Sequence, residues 1–182
     1  MSIVLQSSSG GSVTIAEPAT ASNFTQTLPA ASGEVMVSGN QPAFSAGLFP
    51  SNQTVSTATW TKITINTEDF DTSNAFDSTT NYRFTPQVAG YYQVNGEINS
   101  NAASGGYLGC AVYKNGSNWK TGINMPLSST QAVSTSISTL VYLNGSTDYI
   151  ELYCYQNSGS NLLIFTSGTA VTWFQSVLVR AA

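Results

Sequence analysis

Tyr91-Tyr92-Gln93-Val94-Asn95-Gly96-Glu97-Ile98-Asn99 is the stretch on which the reading of the fold turns. In an extended chain Tyr92, Val94, Gly96 and Ile98 fall on one side and Gln93, Asn95, Glu97 and Asn99 on the other. That is the period-2 pattern of a strand with one buried and one polar face. From residue 41 onward the same kind of signal recurs, bounded each time by Gly, Asn, Ser or Pro. It predicts strands over 43–46, 60–65, 82–85, 107–114, 133–143, 148–155, 162–166 and 171–179. Asn115-Gly116 and Asn144-Gly145 supply the residues that tight turns require. No segment shows an apolar period of 3.6 residues, so this part of the chain is all-β, and its many short strands predict a sandwich or jelly roll.

Composition narrows the function. The chain has 182 residues, with 5 Lys and Arg, 9 Asp and Glu, no His, and a net charge of −4. Charged residues make up 8%, against about 25% in a soluble domain; polarity comes from 26 Ser, 22 Thr and 15 Asn. Five dispersed cations cannot form the basic stripe that nucleic acid demands. Without imidazole the chain lacks the usual general base near neutral pH and the Ser-His and Cys-His nucleophile pairs, which argues against an enzyme. Apolar runs such as Leu162-Leu163-Ile164-Phe165 fall far short of the ~20 residues that cross a bilayer, so no membrane insertion is expected. The start Met1-Ser2-Ile3-Val4-Leu5-Gln6 has no basic n-region and too short an apolar stretch for a secretory signal, so synthesis in a cytoplasm is expected.

A few residues stand out as candidates. Cys110 and Cys154 share strand faces with aliphatic residues and read as core positions; whether they pair is open. Glu68, Asp69, Asp71 and Asp77 form the single acidic cluster, read mainly as turn chemistry, with calcium possible and no cofactor predicted. Tyr91, Tyr107, Tyr113, Tyr149, Tyr153 and Tyr155 lie on the faces opposite the aliphatic residues. Tyrosine is enriched at interfaces, so these six are assigned to subunit contacts, against the alternative that both faces of some strands are buried within one subunit. Trp60 and Trp173 read as core. Trp119, in the loop-like Asn115-Gly116-Ser117-Asn118-Trp119-Lys120, is the candidate for contact with a ligand such as a sugar.

Residues 1–40 differ from the rest. Ser7-Ser8-Ser9-Gly10-Gly11, Pro18, Pro29, Gly33 and Gly39 separate short strand-like pieces, Val13-Thr14-Ile15 and Val35-Met36-Val37. Such a segment cannot build its own core; it reads as an extended arm that gains order against a partner, or else as a disordered tail.

In order along the chain, Pro42-Ala43-Phe44-Ser45-Ala46, Trp60 to Ile65 with Phe76-Asp77, and Tyr82-Arg83-Phe84-Thr85-Pro86-Gln87-Val88-Ala89-Gly90-Tyr91-Tyr92 are followed by Ala111-Val112-Tyr113-Lys114-Asn115-Gly116, Tyr142 to Leu152, and Val171 to Val179. Together they resemble the globular head of the complement recognition subunit and its relatives in the tumour necrosis factor superfamily. Ser146-Thr147 interrupts a turn where the family usually has Gly-Asp directly, and Gln175-Ser176 replaces its usual Ser-Gly. The resemblance implies a ten-stranded jelly roll, residues 41–182, assembled as a homotrimer with an aromatic-rich interface. Within the arm, Gly11 to Ile15, Ala21 to Pro29 and Ala31 to Gly39 resemble a stretch recurring in structural proteins of tailed bacteriophages. That implies a virion anchor, with other virion proteins, of capsid or fibre, as partners of residues 1–40. The expectation is a non-enzymatic virion protein. One role is a capsid decoration or cement protein that binds the assembled shell. The alternative is a fibre-tip adhesin holding a host surface glycan at three sites.

Overall fold

The computed structural model describes residues 2–16, 19, 25, 41–166 and 170–182. The chain divides into two compact units, Met1–Val35 and Met36–Ala182. The expected boundary at residue 40 and the expected strand Val35-Met36-Val37 lie outside the described residues.

In the first unit, β1 (Ser2–Gln6) and β2 (Ser12–Ala16) form an antiparallel hairpin with Ile3 opposite Ile15 and Leu5 opposite Val13. Ser7 N donates to Gly11 O at 2.7 Å, and Gly10 takes a φ of 88°, closing the turn. Ile3, Leu5, Val13 and Ile15 share one face, and all four are exposed. The described part of this unit is therefore a hairpin, and two strands alone are marginal in water.

The second unit contains β3 (Ala43–Gly47), β4 (Gln53–Val55), β5 (Thr61–Lys62), β6 (Thr67–Asp71), β7 (Phe76–Asp77) and β8 (Arg83–Phe84). It continues with β9 (Ala89–Ser100), β10 (Tyr107–Lys114), β11 (Ser117–Pro126), β12 (Val133–Asn144), β13 (Ile150–Gln156), β14 (Leu162–Ile164) and β15 (Trp173–Ala181). One sheet runs β11-β10-β13-β8-β7, with β5 also on β13; the other runs β4-β14-β9-β15-β3-β6, with β12 paired along the whole of β9. Among the described residues this gives sheets of six and seven strands instead of the expected ten in all. Short polar pieces such as β4, β6 and β7 pair as strands without an alternating signal of their own.

The core lies between the sheets. Phe44 stacks on Phe76 and Phe84 at 4.5 and 4.6 Å between ring centres and meets Phe174 edge-on at 5.4 Å. Aromatic pairs at these separations add attraction beyond the area they bury. Tyr92 is buried, as its place in the alternation predicts, and its hydroxyl donates to Val88 O at 2.7 Å. That bond ties β9 to the Phe84-to-Gly90 approach and satisfies the one polar atom the ring carries inward. At Gly96 a Cβ would lie 2.7 Å from Leu152 Cδ1, so glycine there lets the two sheets close.

Both Asn-Gly turns form. Asn115 and Gly116 have φ values of 52° and 76°, the left-handed pair of a two-residue hairpin turn. At Asn144-Gly145 the extra residues Ser146 and Thr147 are absorbed by Asn144 Oδ1, which accepts from the backbone N–H groups of Ser146, Thr147 and Asp148, each at 3.0 Å.

Candidate interaction surfaces

Each sheet turns one face to the core and one outward, and the two outward faces differ. On the β10–β13 sheet, the small residues Gly109 and Ala111 stand opposite Tyr155 and Tyr153 in the register. The rings on this face pack on one another: Tyr113 stacks on Tyr153 at 3.8 Å, Tyr107 on Tyr155 at 5.6 Å, and Trp60 lies 5.3 Å from Tyr155 and 6.0 Å from Tyr113. Arg83 covers Tyr149 at 4.3 Å. Burial among these rings pushes the Tyr113 and Tyr153 hydroxyls upward, and the Glu151 charge adds to the shift at Tyr153. Glu151 itself is buried, beneath an ion pair with Lys62 at 3.0 Å. Five of the six tyrosines assigned to subunit contacts thus have aromatic or cationic partners within their own chain and are half-buried. Trp60 belongs to this outer layer, not to the core between the sheets.

The outward face of the β12-β9-β15-β3 sheet is barer. Tyr91, the sixth tyrosine, stands opposite Tyr142 with ring centres 5.4 Å apart. Along β12 the outward residues run Ser134, Ser136, Ser138, Leu140 and Tyr142, changing from polar to apolar at Leu140, which is 55% exposed. The patch continues over the sheet edge onto β11, where Trp119 Nε1 donates to Leu140 O at 3.3 Å. Lys114 lies 5.8 Å from the rings of both Trp119 and Tyr142. Its Nζ donates to Tyr142 O at 2.8 Å and pairs with Asp148 at 2.8 Å. Burial alone would raise the Asp148 carboxyl, but its bonds from Lys114 and Asn115 prevail and hold it below the usual range. Trp119 is 41% exposed on a ten-residue strand, not on the loop its neighbours suggested.

Across the same sheet is a second apolar feature. Ala43, Phe70, Asn95, Gln175 and Val177 line a recess of about 270 Å³, with Phe70 51% exposed on β6. Beyond the edge, β11 and β12 border a groove of about 440 Å³ between Lys120–Ile123 and Ser136–Thr139, beside the exposed Ile123. Leu140, Tyr142, Phe70 and Val177 were not singled out from the sequence. The available signal was the apolar pair Leu140 and Tyr142 at positions where the β12 alternation calls for polar residues.

The acidic residues are each engaged locally. Asp71 accepts from the N–H groups of Ser73, Ala75 and Phe76 at 3.0, 2.6 and 2.7 Å. Asp77 accepts from those of Thr80, Thr79 and Asn81, and these bonds hold its carboxyl far below the usual range. Glu68 and Asp69 accept from Ser78 and Ser45. Among the described residues no three His, Cys, Asp or Glu side chains are grouped to hold a metal. Nor, among the described residues, is any helix long and apolar enough to cross a membrane.

At one end of the sandwich, loops 101–106, 127–132 and 157–161 are laced together: Ala103 N donates to Ser128 O at 2.9 Å, and Tyr107 N to Asn157 Oδ1 at 2.7 Å. None of the three carries a charge. Gln41 lies at the other end, where its side chain bonds Leu178 O, beside the start of β9.

Two sheets with these strand pairings form a jelly-roll sandwich. No protein-family model matches the chain, and no curated protein matches it in sequence. Among solved structures it is similar to murine APRIL, with a TM-score of 0.55 and 10% identity over 77% of this chain and 100% of that one. It is equally similar to the PRD1 vertex protein P5, with a TM-score of 0.55 and 18% identity over 76% of this chain and 97% of that one.

Proposed function

We propose that this chain is a non-enzymatic structural protein of a phage virion, a homotrimeric knob held by residues 1–40, acting as a capsid decoration or cement protein. The observation that carries the reading is the exposed apolar surface spread over two parts of one domain. Trp119, Leu140 and Tyr142 form a ridge at the β11–β12 edge, and Phe70 and Val177 flank a recess elsewhere on the sheet. A ridge and a recess at different positions suit a heterologous contact, and such contacts close into rings when the rotation allows. A core of aromatic and aliphatic residues depleted of charge is the composition of a subunit interface.

The likeness to a phage vertex protein supports a place in a virion. The hairpin of residues 2–16 supports attachment, since its bare face and neutral strand edges are what β-augmentation uses. The absence of His, with both thiols buried, supports a role without catalysis.

One observation favours the adhesin alternative: the uncharged loops 101–106, 127–132 and 157–161 gather at the end away from Gln41, where three copies would present neutral hydrogen-bonding groups to a glycan. Attachment assays separate the two. The labelled full chain should bind phage capsids saturably and lose that binding on deletion of residues 1–40. Saturable binding to host cells with none to capsids would overturn decoration in favour of adhesion.

A further inference from the structure

Cys110 on β10 and Cys154 on β13 are directly opposite each other, in a register without irregularity from Leu108–Gln156 to Lys114–Ile150. Hydrogen bonds at the two ends of this ladder fix the kind of pair they form. Beyond one end Asn115 N donates to Tyr149 O at 3.1 Å, and beyond the other Asn157 N donates to Tyr107 O at 3.4 Å. In the continued register these residues are also opposite each other. Bonded and non-bonded pairs alternate along an antiparallel ladder, so the odd-numbered residues of β10 occupy bonded pairs and Cys110 occupies a non-bonded one. The Cα atoms of a non-bonded pair are about 4.5 Å apart with their side chains drawn together on one face, inside the ~4.4–6.8 Å range that disulfides span. Both side chains are free and buried in the core, and the proximity of Cys110 adds to the upward shift of the Cys154 thiol.

We propose that Cys110 and Cys154 are a covalent modification site, closed to an intrachain disulfide by exchange with a small-molecule disulfide of the glutathione class. One protein thiolate attacks a sulfur of the oxidant and releases one small thiol. The second protein thiolate attacks the resulting mixed disulfide and releases the other. The two protein thiols give up two electrons and two protons, and the small disulfide takes them up as two thiols. Burial pushes the Cys110 thiol up to about 11 and the Cys154 thiol higher still, so the folded chain reacts slowly and the bond closes during folding or local opening. The staple fixes β10 to β13 and closes the loop that contains β11 and β12, the strands that carry Trp119, Leu140 and Tyr142. It does not depend on the assembly proposed above.

The test uses the full chain, unfolded and refolded in oxidised glutathione, beside a sample kept reduced. The expected product is a monomeric polypeptide about 2 Da lighter than the reduced chain, in which non-reducing peptide mapping joins Cys110 to Cys154. It should melt roughly 5–10 °C higher than the reduced sample. Two alkylatable thiols, a glutathione adduct at either cysteine, cross-links between chains, or a melting temperature below that of the reduced chain would each overturn the proposal.

Discussion

The outward faces of the two sheets carry similar numbers of large apolar side chains and treat them in opposite ways. On the β10–β13 face, Tyr107, Tyr113, Tyr153 and Tyr155 lie against one another and against Trp60, so the rings cover themselves. On the β12–β9 face, Tyr91 and Tyr142 pair with ring centres 5.4 Å apart yet stay 46% and 40% exposed, Leu140 is 55% exposed, and Trp119 extends the exposed area across the edge. An aromatic residue on a polar-looking strand face is therefore not evidence of a partner by itself. What distinguishes the two is how far the other side chains of the same chain cover each ring.

The comparison breaks most sharply at Leu140. Leu140→Asp should place a charge in the apolar ridge and abolish trimerisation, leaving a folded monomer in analytical ultracentrifugation with unchanged circular dichroism. Retention of the trimer would remove this face from the interface. On the other sheet, Tyr153→Ala removes the ring stacked on Tyr113. It should destabilise the fold by about 1–3 kcal/mol in urea unfolding, less than the ~3–5 kcal/mol of a fully buried ring, while leaving the subunit number unchanged. Dissociation without loss of fold stability would reverse the roles of the two faces.

Acid should act through Asp77 and Asp148, whose folded carboxyls titrate below their ordinary values. A depressed folded value contributes stability above the unfolded pKa, near 4, and that stability is lost as pH falls toward the folded value. Thermal stability should therefore be flat above about pH 5 and decline below about pH 4. Asp148→Asn should weaken the decline and, by freeing Lys114, loosen the Tyr142 and Trp119 rings. An unchanged acid profile would exclude Asp148 as a contributor. The smallest effect is expected at Trp119→Ala: less than about 1 kcal/mol on folding, since the ring is partly exposed, but a measurable rise in the concentration at which trimers dissociate.

The reach of the sequence follows the same physics. β9 was legible because a strand with one buried face writes burial into alternate residues, whereas β10, buried on both faces from Leu108 to Val112, was legible as a continuous run closed by Asn115-Gly116. Tyr107–Lys114 was read to its limits, and the Tyr92, Val94, Gly96 and Ile98 face is buried as expected. β11 and β6 were illegible for the opposite reason. They are sheet-edge strands exposed along nearly their whole length, so no period survives, and Ser117 to Lys120 looks like loop. The Asn115-Gly116 turn nevertheless implied a returning strand after it, because a two-residue turn with two positive φ values exists to pair its flanks. The surroundings of the tyrosines were not legible, because the register alone reveals that Gly109 and Ala111 lie opposite Tyr155 and Tyr153.

The central claim, that the bare β12–β9 face and its β11 edge are covered by further copies of the chain, is tested most directly by light scattering on the intact protein after size-exclusion chromatography. A mass three times 19.2 kDa, held on dilution to low micromolar concentration, is the predicted result; a folded species of 19.2 kDa at every concentration would contradict it.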